Sequence, residues 1–448
     1  MMPDLLSVPA FLLFHIAWLI HSIRRPLLLV SALCVLSDPA SAMRKLRLVY
    51  VSVSYLLLCQ DKKWKVPADV DPASYFPADL GGSMKSSTTT TTTTTAYREK
   101  MVILIRHGES TWNDTFNPGH RGRMSFGLLF VPNLVHAILA ELYYFVSGKD
   151  RDSWFYDSPL SSGGKGQIDG LRSFLKKEGL RVGTTGGGGG GAGGGGKSGG
   201  NNGSREDERA IRILLALGED EKDAKGGKGG ASSPSTLTSH VVSSNLRRAI
   251  STAVIGLADR FSRTTRASSS GEGDDGTTTE IDEDGDDRVI LLPSLQEISI
   301  NPDALSILPP RGAALPTWCD ERIPGLIPPN SFPSLIDSRR HGGNKPLKSN
   351  GLDRLEAFAS DVFDDDRLPR PNVIAVGHSL FFRSFFRLYM PRGTEHVAKE
   401  KKLVNGGAVM VTLREASKVG GGERKKAYMI DPGSIVVIYG GFGKHTKG

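Results

Sequence analysis

The stretch Met101-Val102-Ile103-Leu104-Ile105-Arg106-His107-Gly108-Glu109-Ser110-Thr111-Trp112-Asn113 decides the fold. Its compact apolar run, stopping at Arg106, reads as a buried strand. Side chains that follow the C-terminal edge of a parallel strand face the ligand crevice of such a sheet. Arg106 offers a fixed fork of donors for phosphate oxygens. His107 is a nitrogen nucleophile when neutral, and the ordinary histidine pKa of about 6.5 makes that form available at neutral pH. Gly108 lets the backbone approach a ligand closely.

Two further groups share this logic. Gly377-His378-Ser379 follows the apolar run Val373 to Val376, and Arg383 lies in the helix expected after it. Ser244-Asn245-Leu246-Arg247-Arg248-Ala249 marks a strand turning into a helix, where Arg248 can reach an anion held near the helix start. Arg247 reads as the solvent-facing neighbour, and Arg383 as a surface or ion-pair residue. Two arginines and two histidines at strand exits make a pocket for one dianionic phosphoryl group.

Around these points strand and helix patterns alternate. Strands are expected at Leu237 to Val242, Val289 to Leu292, Val373 to Val376, Ala408 to Leu413 and Met429 to Ile438, the last broken by a turn at Pro432-Gly433. Helices are expected from Gly164, and over Glu206 to Leu217, Leu246 to Leu257, Gly351 to Phe363 and Phe381 to Tyr389. The alternation predicts an α/β domain, a three-layer α/β/α sandwich around a mostly parallel central sheet, with long low-complexity insertions. Phe126 to Val146 is apolar along its length and reads plainly as a buried helix, with a membrane-surface helix as the sharper alternative. Pro302 to Pro346 reads as a long irregular excursion over the core.

The motifs together resemble the histidine phosphatase superfamily, also called the phosphoglycerate mutase-like family. RHGESTWN at Arg106 to Asn113 is the most specific mark. DSPLSSGGKGQ at Asp157 to Gln167, SNLRRAISTA at Ser244 to Ala253, LQE at Leu295 to Glu297, GHS at Gly377 to Ser379 and LVN at Leu403 to Asn405 follow in the family's order. The resemblance covers roughly residues 100–438, with insertions between the marks. It implies that His107 attacks phosphorus and is transiently phosphorylated. It also implies that Arg106, Arg248 and His378 hold the phosphoryl oxygens and that Asn113 adds a donor. Glu297 would protonate the leaving oxygen and then activate water, with Asp157 and Glu109 as other candidates for the acid. No cofactor and no metal is implied. Ser379 stands where members often have Gly; its backbone donor survives and its hydroxyl adds a second phosphate contact. The substrate-gripping signatures of phosphoglycerate mutases have no match, so hydrolysis of a phosphomonoester is expected. Phosphoryl transfer of the mutase kind and non-catalytic binding of a phosphoprotein are the other two readings. The expected partner is accordingly a small phosphorylated substrate or a phosphoprotein.

Composition sets the outer bounds. The 448-residue chain holds 53 Gly and 25 Pro, with a Thr run at Thr88 to Thr95 and a Gly-dominated stretch from Gly183 to Gly200. Such segments cannot offset their ordering entropy by burial, so one large domain of roughly 200–250 core residues is expected. The apolar content of 39% excludes a wholly disordered chain. A fibrous repeat and a polytopic membrane protein are excluded as well. The net charge of +8 favours acidic ligands, but no basic stripe interleaved with aromatics points to nucleic acid. Three cysteines without metal spacing support neither a zinc site nor a disulfide framework.

The domain reading is a front segment, residues 1–97, outside the catalytic core; a catalytic domain, 98–443, with flexible insertions near 182–204, 218–236 and 267–288; and a tail, 444–448. Leu5 to Ile20 and Leu27 to Leu36 are apolar runs flanking Arg24-Arg25, followed by Ala40-Ser41-Ala42. That order is that of an entry signal, with a membrane anchor and a mistaken upstream start as alternatives. A secretory, organellar or membrane-associated setting is favoured over the free cytoplasm, with membrane association through residues 5–36. The literal GxxxxGKS at Gly191 to Ser198 has glycine on both flanks rather than a strand and a helix, and is set aside as a phosphate loop.

Overall fold

The computed structural model describes residues 38–67, 71–76, 97–117, 123–147, 152–185, 201–217, 237–269, 287–314, 316–317, 332–348, 350–420 and 423–443. The targeting reading of residues 5–36, the Thr run, the GxxxxGKS stretch and the 444–448 tail lie outside them.

Eight strands form one mixed sheet among the described residues. In chain order they are β1 (Tyr97–Arg106), β2 (Ser239–Ser243), β3 (Val289–Leu291), β4 (Ile336–Asp337), β5 (Asn372–Gly377), β6 (Ala408–Gly420), β7 (Glu423–Ile430) and β8 (Val436–Tyr439). The spatial order is β4-β3-β2-β5-β1-β6-β7, with β8 also pairing to β6. From β4 to β1 every pairing is parallel, whereas β6 runs antiparallel to β1, β7 and β8. Register positions the site: Arg106 lies opposite Gly377, and Ser243 opposite Val376. The strand exits that lead to His107, His378 and, at the start of the next helix, Arg248 therefore lie side by side along one edge of the sheet.

The helices are α1 (Pro39–Leu58), α2 (Thr111–Phe116), α3 (Arg123–Val146), α4 (Ser162–Thr185), α5 (Asn201–Leu215), α6 (Arg247–Gly256), α7 (Ala258–Ser269), α8 (Gly351–Val362), α9 (Ser379–Tyr389) and α10 (Val397–Glu400). Side chains alternate across a strand, and β1 divides accordingly. Val102 and Leu104 join a cluster with Leu355 and Phe358 of α8 and Phe381 and Phe385 of α9. Ile103 and Ile105 join another with Leu171 of α4, Leu214 of α5 and Ile250 and Val254 of α6. Each such fully buried side chain contributes about 1.5–3 kcal/mol relative to exposure. Helix α8 starts where it does because Asn350 Oδ1 accepts from the Leu352 and Asp353 amides at 2.8 and 3.1 Å, while Asp353 Oδ2 accepts from the Asn350 amide at 3.2 Å.

Several expectations need correction. Part of the front segment, 1–97, packs against residues that follow it. Tyr55 and Cys59 at the end of α1 pack with Tyr156 and Leu305, and Asp61 is fully buried against Lys345 and Arg354. The insertion expected from 182 begins later, since α4 runs to Thr185 with Val182 in the core and α5 starts at Asn201. The insertion expected up to 288 ends at a fixed point. Asp287 is buried and takes both Nε and Nη2 of Arg260 at 2.7 and 2.8 Å. The proline-rich excursion contributes an edge strand, β4. Helix α3 is not a buried helix: Met124, Leu128 and Val146 are exposed by 81%, 75% and 61%. Met124–Val146 is long and apolar enough to cross a bilayer.

Candidate active site

The first strand exit is pinned to its neighbours by backbone hydrogen bonds. The His107 amide donates to Gly377 O at 3.0 Å, and the Ser244 amide to Val376 O at 2.9 Å. On this frame the rings of His107 and His378 meet edge to face, 4.9 Å between centroids. Arg248, on the first turn of α6, brings Nε to 3.2 Å from His107 Nε2. A guanidinium only donates, so His107 Nε2 is the acceptor and its proton sits on Nδ1, where Gly108 O accepts at 2.5 Å. The nitrogen that faces Arg248 is therefore the one that carries the lone pair, which accepts from the guanidinium. His378 Nε2 pairs with Ser244 Oγ at 2.9 Å. His378 Nδ1 and Arg106 Nε are buried without a hydrogen-bond partner.

Burial and positive neighbours act in the same direction on both histidines. His107 is held well below the usual histidine range by burial, then by Arg248 and Arg106. His378 is lowered likewise by burial, then by Arg248, His107, Lys345 and Arg106. Arg106, next to Arg248, is brought down to about 10, chiefly by removal of its head from water. The site is thus a concentration of positive charge around two neutral imidazoles, which favours an incoming anion.

The other expected residues occupy different stations. Glu297 is buried, and its Oε1 accepts from its neighbour Ile298 N at 3.0 Å and from Phe381 N, in the first turn of α9, at 3.1 Å. Its negative charge is felt by Arg106. Ser379 is buried at the first position of α9, directly after His378. Asn113 is in α2, and its Oδ1 accepts from Asn117 Nδ2 at 2.6 Å, which engages its acceptor and not its amide donor. Arg247 is not solvent-facing: it is buried, its Nε donates to Asp157 O at 3.0 Å, and it pairs with Asp152. Asp157, the alternative acid, accepts from the amides of Arg247 and Ile307 at 2.9 and 2.8 Å and thereby ties two loops together.

Some participants escaped the sequence reading. Asp303 pairs with Arg248 at 3.6 Å and also offers its carbonyl to Arg248 Nη1. Burial raises the Asp303 carboxyl. Lys402, just before the LVN motif, is lowered by burial and by Arg106, which places a further cation beside the site. Ser244 was visible within SNLRR, but its role toward His378 depends on the β2–β5 register.

Gly108 and Gly164 have a steric reason. A Cβ on Gly164 would lie 2.0 Å from Glu109 O, and one on Gly108 would lie 2.5 Å from Gly164 O. The start of α4, capped by Ser161 Oγ on the Gly164 amide at 3.0 Å, thus presses against the loop that presents His107. Gln167 Oε1 accepts from the Glu109 amide at 2.8 Å on the same side. Replacing Gly164 with Ala is expected to lower kcat/KM by about 10²-fold, the order expected for a displacement of about 1 Å at a reacting group. Steady-state kinetics with a check on the melting temperature tests this; an unchanged rate would show that the loop relaxes freely.

Stability should also report the neutral histidines. His107 and His378 titrate at about 6.5 in the unfolded chain and well lower in the fold. Between those values the unfolded chain binds protons that the folded chain refuses. Stability is therefore complete above pH 6.5 and falls as pH drops through 6.5 toward the folded values, by at most about 1.4 kcal/mol per pH unit for each ring. Denaturation midpoints from pH 7.5 to 5.5 should show this slope, reduced in His378→Asn.

No family model and no curated protein matches this chain. Solved structures give distant likenesses. One titled mycobacterial hydrolase 1 is 13% identical with a TM-score of 0.26, covering 74% of this chain and 96% of that one. A mycobacterial glucosyl-3-phosphoglycerate phosphatase in complex with VO3 is 12% identical with a TM-score of 0.26, covering 74% and 98%. One titled mycobacterial hydrolase 2 is 13% identical with a TM-score of 0.28, covering 78% and 94%.

Proposed function

We propose that this chain is a phosphomonoester hydrolase of the histidine phosphatase type, built as a three-layer α/β/α sandwich, with His107 as the residue that carries the phosphoryl group. The observation that supports this reading best is the approach of Arg248 Nε to His107 Nε2 at 3.2 Å beside the His378 ring, from three separate strand exits. The donors without partners, Arg106 Nε and His378 Nδ1, are what an absent phosphoryl oxygen would satisfy.

On this reading His107 Nε2 attacks phosphorus with its lone pair as the bond to the leaving oxygen breaks. Arg106, Arg248 and His378 donate to the three equatorial oxygens, Ser379 and Asn113 supplying further donors. Fixed donors and positive charge supply most of the stabilisation when a phosphoryl group transfers. Glu297 Oε1 is taken by two backbone amides, leaving Oε2 to give a proton to the leaving oxygen. Water then attacks the phosphohistidine with Glu297 taking its proton, the N–P bond breaks, and the lone pair returns to Nε2. The arginines supply the charge, so no metal enters the scheme.

Incubating the full chain with phenyl phosphate tests the reading. Equal amounts of phenol and free phosphate are expected, unchanged by EDTA. Phosphoryl groups moved to another alcohol without free phosphate would favour transfer, and binding without turnover would favour the non-catalytic reading.

A further inference from the structure

We propose that α1 and α3 seat this protein on an anionic lipid bilayer, and that its substrate is a phosphate monoester borne on an apolar tail in that bilayer. The substrate half rests on the phosphohydrolase reading above; the seat does not.

The distribution of exposed apolar residues is the first observation. Twenty large apolar side chains are exposed among the described residues, and fifteen of them lie on these two helices. On α1, Met43, Leu46, Tyr50, Val53 and Leu57 follow a three-four spacing, which aligns them along one face. That face cannot turn inward, because Ser41 and Tyr55 are buried on the opposite one. On α3, Leu128, Leu139 and Val146 are exposed, while Ala137 and Tyr144 are buried. The two helices are joined by Lys45, whose Nζ lies 2.7 Å from Glu141.

Charge and chain continuity identify the occupant. Helix α1 carries Arg44, Lys45 and Arg47 and no acidic residue. An apolar stripe flanked by basic side chains is the composition of a helix lying in a lipid headgroup region. A second copy of the chain would bring two such basic stripes together, which disfavours self-association. The apolar runs Leu5 to Ile20 and Leu27 to Leu36, with Arg24-Arg25 between them, lead directly into α1. Helix α3 is fastened along its length rather than free to cross. Glu141 accepts from Ser153 Oγ and Trp154 N at 3.0 and 2.7 Å, and His136 meets the Trp154 ring at 5.1 Å.

Aromatic contacts run from this seat to α2, the helix that follows the His107 loop. Trp112, in the helix that follows the His107 loop, touches Phe116 at 4.4 Å and Phe155 at 6.3 Å. Phe116 reaches Phe130 of α3 at 6.3 Å, and Phe130 reaches Phe126 at 5.8 Å. An apolar tail lying along these rings would remain in the lipid-facing layer while its phosphate entered the positive site.

The test uses the full chain, with flotation on phosphatidylcholine vesicles with and without phosphatidylserine, and turnover of soluble phenyl phosphate and of phosphatidic acid in the same vesicles. The wild-type protein is expected to float with the anionic vesicles and to turn over phosphatidic acid at least ten-fold more efficiently than phenyl phosphate. The variant Leu46→Asp, Tyr50→Asp, Leu128→Asp, Leu139→Asp should lose flotation and at least ten-fold of vesicle turnover. Its phenyl phosphate rate should be unchanged, which also reports correct folding. If the four-residue variant misfolds, the pair Leu46→Asp, Leu139→Asp is expected to halve flotation at the same phenyl phosphate rate. Variants that float undiminished, or a wild-type protein that does not float, overturn the seat. So does a wild-type dimer that the substitutions dissociate without any vesicle binding. Turnover of phenyl phosphate but not phosphatidic acid overturns the substrate assignment and leaves the phosphatase reading standing. No turnover of either overturns the phosphatase reading and the substrate with it, while flotation decides the seat independently.

Discussion

His107→Ala is expected to lower phosphomonoester turnover by about 10⁴-fold or more, the scale on which removing a covalent nucleophile acts. The same substitution should eliminate a phosphoprotein that is labile to acid and stable to base, trapped by rapid quenching with labelled substrate. The size of the effect follows from geometry. His107 Nε2 is the lone pair next to the Arg248 guanidinium, and His378 cannot substitute because its Nε2 is committed to Ser244 Oγ at 2.9 Å. Full activity in His107→Ala, with an unchanged melting temperature, would end the phosphohistidine mechanism.

The second large effect concerns stability and comes from a residue outside the motif set. Asp61→Ala is expected to cost about 3–5 kcal/mol, the range for breaking a buried ion pair by removing one partner. Asp61 is fully buried between Lys345 Nζ at 2.7 Å and Arg354 Nη1 at 2.8 Å, and accepts from the Ser299 amide at 3.0 Å. Removing its charge strands two cations out of water. Lys345 Nζ also donates to Glu297 O at 2.9 Å and Arg354 Nη2 to the same oxygen at 3.3 Å, so the loop that carries the proposed proton donor loosens too. Urea denaturation measures the first effect and kcat the second. A change below about 0.5 kcal/mol would place Asp61 among ordinary surface positions.

The parallel half of the sheet was legible because its strands are short apolar runs bounded by turn residues, and the motifs fall at their ends. The convergence of His107, His378 and Arg248 follows from that order once Arg106 is set opposite Gly377. What stayed hidden depended on long-range contacts. Nothing around Asp61 distinguishes it from a linker aspartate; its partners lie 284 and 293 residues away. Arg247 and Arg248 are adjacent and chemically alike, so only the acceptors around each decide that one ties loops and the other faces the histidines. Helix α3 misled because an apolar sequence states what a segment avoids, not what covers it. Asn113 matches the motif, but that its Oδ1 accepts from Asn117 one helical turn on is a contact for which spacing carries no signal.

Helices α4 and α5 are held together by their own side chains. Leu175 and Val182 of the first already pack in one core with Ala210 and Leu214 of the second. That packing fixes the two ends at Thr185 and Asn201, and closure entropy changes by only about 0.6 kcal/mol per doubling of the length between such ends. Variants that lengthen or shorten the tract between them are therefore expected to keep the α4–α5 packing, and melting temperatures across a length series should differ little.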